Sequence, residues 1–153
     1  MEVILQQTLA AVAGTLAFSL LYGVPRRYEL YCGAIGGAGW FVYAVLMQKA
    51  GLSATEATFV AALFLTFLSR CAAVIEKCPA TVFQIAGIFP LVPGAGIYWT
   101  SYYLVTGETG LALENGFAAV KAAVAIVLGI IAVFELPNSL FQTLCRKRKE
   151  DHP

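Results

Sequence analysis

The chain has 153 residues, 59% of them hydrophobic and only 12% charged, about half the charged share of an ordinary soluble domain. A formal net charge of +1 offers no basic surface for nucleic acid, and a mean hydropathy of +0.77 places nearly the whole chain in a bilayer. Four cysteines without a C-x-x-C spacing, and a single histidine at His152, argue against a zinc site, a disulfide framework or a bound cofactor.

Residues 3–24 are uncharged and, at ~1.5 Å per residue, long enough to span. Glu2 stands where a signal peptide has its basic region, so this segment reads as a retained membrane helix. Pro25 closes it, followed by Arg26, Arg27 and Glu29. A second span, 30–48, opens with Gly33, Gly36, Gly37 and Gly39. Their spacing is not that of a phosphate-binding loop and no strand precedes them, so they predict close helix–helix contact through small residues. Trp40 and Tyr43 suit packing or an interface position. Ser53-Ala-Thr-Glu56 fits a capping box at the start of a third span, 57–75. A fourth span covers 81–105. Residues 107–115 read as a polar loop before a fifth span, 116–136, which Pro137 ends. Residues 140–144 are expected to form an interfacial turn, and the tail 146–153 faces water. Cysteines read as small apolar residues, with Cys145 beside a basic run as a lipidation candidate.

The fourth span is the anomaly. Between Lys77 and Glu108 there is no charge, yet Pro90, Pro93, Gly94 and Gly96 fall in the middle. Each proline lacks an N–H and clashes with the carbonyl four residues earlier. A helix broken at depth leaves polar backbone that lipid cannot satisfy, so such a break persists only inside protein or along a cavity. In transporters that is where solutes bind. A helix restarting at Gly94 or Ala95 presents unpartnered amides that suit a carboxylate. The carbonyls of Ala86 and Phe89 are expected to lose their partners and accept from an ammonium group or water. The plainer reading is a proline kink used only for packing.

With five spans and the basic tail inside, seven basic loop residues lie on the cytoplasmic side against one, Lys49, on the other. The N-terminus then lies outside. A half-inserted second segment would leave four spans.

Two ionisable residues lie well within these spans, Arg70 and Lys121. Arg70 near the inner end and Lys121 near the outer end each read either as snorkelling to the headgroups or as functional. For Lys121 the functional reading is a cavity-facing cation that attracts a carboxylate. Trp99, Tyr102 and Tyr103 predict an outer aromatic belt, and Tyr98, one turn after Gly94, either joins it or offers its hydroxyl to the cavity. No nucleophile–base set is visible, so no enzyme is expected.

The run Pro79-Ala-Thr-Val-Phe83 followed by Ile88-Phe-Pro-Leu-Val-Pro-Gly-Ala-Gly-Ile-Tyr98 resembles the signature of the threonine/serine exporter family. Nearly the whole chain resembles a small stand-alone version of that family's C-terminal membrane half. The resemblance implies a larger partner subunit, proton-driven export of threonine, serine or a dicarboxylate such as succinate, and a bacterial inner-membrane location. It also marks Pro90, Val92, Pro93, Gly94 and Tyr98 as matching positions.

The expectation is therefore an all-α integral membrane protein with about five transmembrane helices, the fourth broken at a Pro/Gly motif. Residues 1–145 form one membrane domain, followed by a cytoplasmic tail. Its substrate site comprises Pro90, Val92, Pro93, Gly94, Gly96, Tyr98 and Lys121. Its companions are the bilayer, a small carboxylate or amino acid, the larger subunit or a second copy. A non-transporting scaffold subunit is the alternative.

Overall fold

The computed structural model describes residues 2–141 and 143. Among them the chain is helical, without strands. The helices are α1 (Glu2–Leu21), α2 (Arg26–Lys49), α3 (Ala54–Glu76), α4 (Thr81–Gly87), a one-turn 3-10 helix (Phe89–Leu91), α5 (Gly94–Val105) and α6 (Thr109–Phe134). By length and composition α1, α2, α3 and α6 suffice to cross a membrane, and α4 with α5 forms a fifth candidate bent by 49° at the break. The expected all-α membrane architecture is what forms.

The glycines of α2 serve two neighbours. A Cβ on Gly33 would sit 2.9 Å from Leu16 of α1, and one on Gly36 or Gly37 would collide with Thr15 or Val12. Gly39 instead faces Leu65 of α3, where an added Cβ would be 2.8 Å away. Without side chains at these points the backbones approach closely, which is how apolar helices gain packing energy where lipid supplies no hydrophobic drive. Cys32 is fully buried in the core beside Leu65, Phe83 and Ala86, as its small apolar character implies.

Helices α3 and α6 lie parallel. Ala62 meets Gly129, and further along both helices Arg70 reaches the carbonyls of Val133 and Leu136. Between the end of α3 and the start of α6 the chain must therefore return from one end of the bundle to the other. Helices α4 and α5 make that return as a single bent element.

The α3–α6 contact rests on Gly129. A Cβ there would lie 2.9 Å from the Ala62 Cβ and 3.0 Å from the Phe59 carbonyl oxygen, and backbone cannot rotate aside. Gly129→Val is expected to destabilise the fold by about 2 kcal/mol through overpacking. Thermal unfolding in detergent measures this against Gly14→Val, a position with nothing within 4 Å of an added Cβ.

The capping box forms as expected. The Glu56 amide donates to Ser53 Oγ at 3.3 Å, and the Ser53 amide donates to Glu56 Oε2 at 2.9 Å. At the other end of α3, Lys77 adopts a left-handed backbone (φ 54°), and its amide donates to the Ala73 carbonyl.

One expectation needs correction. Residues 107–115 are not a loop, because α6 begins at Thr109. Asn115 does not interrupt it, since its Nδ2 donates to the Leu111 carbonyl at 2.8 Å and satisfies itself within the helix. Phe141, in the segment expected as an interfacial turn, is packed into the bundle. It is 1% exposed, packed on Phe67 with ring centroids 5.3 Å apart. Cys145 and the basic tail lie outside the described residues.

Candidate functional site

The break is built by local chemistry. Proline supplies no N–H at positions 90 and 93, so the α-helical ladder stops and a tighter turn replaces it. The Leu91 amide donates to the Ile88 carbonyl at 2.9 Å and the Val92 amide to the Phe89 carbonyl at 3.1 Å. The Gly94 amide folds back onto the Val92 carbonyl at 2.7 Å.

This geometry corrects the expected acceptor cluster. The Phe89 carbonyl is occupied by the 3-10 turn, and the Ile88 amide turns toward the carbonyls of Gln84 and Ala86. The donor side stands. Helix α5 begins at Gly94 with Pro93 as its cap residue, and no side chain caps it. The first amides of a helix lack intrahelical partners, and with Gly94 turned to Val92 these are Ala95 and Gly96. They carry the partial positive charge of the helix start.

Around this start lies a cavity of about 540 Å³. Pro90, Val92, Pro93, Gly94 and Gly96 line one side of it. Trp40 and Tyr43 of α2, Thr58 of α3, and Ala118, Ala119 and Ala122 of α6 line the others. Ala122 has thirteen residues of α6 before it and twelve after it, so the cavity lies at mid-height of the longest helix. Among the described residues no carboxylate, ammonium or guanidinium group lines it.

Gly94 and Gly96 differ in kind. A Cβ on Gly94 meets nothing within 4 Å, whereas one on Gly96 would lie 3.1 Å from the Ala119 Cβ. Gly96 lets α5 pack on α6, and Gly94 leaves the cavity open.

The remaining candidates lie elsewhere. Tyr98 is 61% exposed on the outer face of α5, with its ring 5.2 Å from Trp99 and 6.5 Å from Tyr102. It joins the aromatic group and does not line the cavity. Lys121 is exposed on another face of α6, in a groove against α3, and is not brought together with Gly94.

Arg70 neither snorkels nor faces the cavity. It is 7% exposed, and its guanidinium donates to the carbonyls of Val133 and Leu136 and to Asn138 Oδ1. It also lies 4.1 Å from the centre of the Phe141 ring. The Val133 carbonyl also accepts from the Leu136 amide at 3.2 Å, so Arg70 adds a charged donor to the last carbonyls of the helix and opposes its dipole. Glu76 bonds with Tyr31 (3.1 Å) and pairs with Arg27 (3.7 Å), joining the start of α2 to the end of α3.

Sequence reasoning missed Trp40 and Thr58 as cavity residues. The Trp40 indole Nε1 is buried without a hydrogen-bond partner among the described residues, and the Thr58 hydroxyl donates to the Ala54 carbonyl at 2.7 Å. Nothing local marks them. For the α6 wall a signal was present, since Ala118 and Ala122 stand four apart, the small-residue spacing that lets another backbone come close.

Comparison with known proteins finds that the family model described as "Threonine/Serine exporter, ThrE" matches residues 7–135. No solved structure matches the chain.

Proposed function

Since the chain belongs to the threonine/serine exporter ThrE family, a family of membrane transporters, we propose that it is a transport subunit whose Pro/Gly break forms one wall of a solute site. The single observation behind this reading is the cavity at mid-height that Pro90, Val92, Pro93, Gly94 and Gly96 line at the uncapped start of α5. In this proposal the Ala95 and Gly96 amides receive the carboxylate of the solute, as helix starts favour anions. The chain sits in a bacterial inner membrane as one multi-pass domain, with its basic tail in the cytoplasm.

The cavity wall offers donors and holds no anion. That favours a carboxylate as the group bound here, and it leaves an ammonium group without a counter-charge among the described residues. Two solutes fit that asymmetry. One is a small amino acid such as threonine or serine, whose ammonium end meets a carboxylate on a larger partner subunit. The other is a dicarboxylate of the succinate type. Movement of the broken span against the partner exposes the cavity to either side in turn.

Reconstitution tests the division of labour. The chain alone in vesicles is expected to move labelled threonine or succinate at no more than about a tenth of the rate reached with the larger subunit present, because a half-site loses orienting contacts. Full-rate transport by the chain alone would refute the shared site. Unaltered export after the cavity is filled would favour the scaffold alternative.

A further inference from the structure

Lys121 is left without a role once the cavity excludes it. It lies instead in a strongly apolar groove of about 660 Å³ between α3 and α6. Phe59, Val60, Val124, Ala125 and Leu128 are among the apolar residues that line it. Along α6 it runs from residue 117 to residue 128, roughly 16 Å at the helical rise.

The charge lies at one end of this slot. Lys121 Nζ sits 5.2 Å from the centre of the Phe117 ring, one turn nearer the start of α6 than its own backbone. The side chain has thus carried its ammonium toward the level at which α3 begins, where the membrane surface is expected. The other ionisable group of the groove, Glu56, is turned back on the start of its own helix, with Oε2 accepting from Ser53 Oγ at 2.7 Å and from the Ser53 amide at 2.9 Å. The ion pair found among the described residues joins Arg27 to Glu76, so Lys121 has no protein anion there.

A cation at the mouth of a long apolar slot has the layout of a lipid: phosphate at the surface, chain beneath. We propose that this groove seats a phospholipid, its acyl chain between α3 and α6 and its phosphate on Lys121. Basic pockets between membrane helices take anionic headgroups in the same manner. This proposal does not depend on the break being a solute site.

The test is thermal unfolding of the purified chain in neutral detergent, with phosphatidylglycerol or a phosphate-free glycolipid of the same acyl length added. Phosphatidylglycerol is expected to raise the midpoint by about 2–4 °C and the glycolipid by less than half as much. Lys121→Met should remove the difference between the two lipids, and Lys121→Arg should restore it. Val124→Trp, which puts a bulky ring in the lining and keeps the charge, should abolish the response to both. Equal shifts from both lipids in the wild type would overturn the phosphate contact. So would an undiminished phosphatidylglycerol response in Lys121→Met. Release of the larger subunit by Lys121→Met, with the lipid response unchanged, would make the groove a subunit seat and overturn the proposal.

Discussion

Gly94→Leu is expected to lower export by about tenfold or more while the protein remains at normal abundance in the membrane. The two halves of that result have separate physical origins. Gly94 is the first residue of α5, and a Cβ added there meets nothing within 4 Å, so no neighbour is displaced. Leucine is also a better helix former than glycine by up to about 1 kcal/mol, so the substitution does not weaken the helix start. Its side chain instead occupies space beside the uncapped amides, where the carboxylate is proposed to sit. Gly96→Leu is the necessary contrast. It drives a side chain into Ala119 and should lower membrane abundance along with export. Measuring export and abundance together for both variants separates a blocked site from a damaged hairpin. Normal export by Gly94→Leu at normal abundance would end the solute-site reading and return the break to a packing role.

Arg70→Met should damage the fold and not the site. The guanidinium reaches two carbonyls of the α6 end and the Asn138 side chain, and lies against Phe141. Methionine fills part of the volume but donates nothing, so the Leu136 carbonyl and Asn138 Oδ1 lose this donor, while the Val133 carbonyl keeps the Leu136 amide at 3.2 Å. Hydrogen bonds to charged groups are worth about 1.5–3 kcal/mol each, and several are lost together, so a net cost of about 3 kcal/mol is expected. The melting midpoint in detergent should fall by roughly 6–12 °C. Arg70→Lys should fall between, because an ammonium keeps the charge but lacks the planar fork that spans several acceptors. An unaltered midpoint for Arg70→Met would show that the α6 end does not depend on this contact. Loss of transport at unaltered stability would move Arg70 into the transport machinery.

The parts of this protein that were legible in the sequence are those set by covalent or near-neighbour chemistry. Apolar length fixed the membrane helices. Missing amides at Pro90 and Pro93 fixed the position of the break, and Gly94 fixed where the chain resumes. Ser53 and Glu56 announced their capping box because both partners lie within one turn. The α2 glycines signalled close contact, although not that Gly39 turns to α3 while Gly33, Gly36 and Gly37 turn to α1.

What only the tertiary structure decided is which way each helix faces. A membrane helix apolar on nearly every side carries little periodic signal to distinguish its buried face from its lipid face. Lys121 was therefore grouped with Gly94 on its charge within a span, and rotation about α6 puts it in a different groove. Tyr98 fell to the outer face of α5 for the same reason. Arg70 was legible as an intramembrane cation, but its partners, the carbonyls at the end of α6, lie more than sixty residues along the chain. The acceptors of Phe89 and Ala86 were misjudged because a broken α-helix was taken to leave them bare. The chain instead tightened into a 3-10 turn and used the amides of Val92 and Ile88. Local sequence set where the backbone had to break. Packing set what the break faces, because the cavity wall is assembled from α2, α3 and α6, and no local pattern records how they come together.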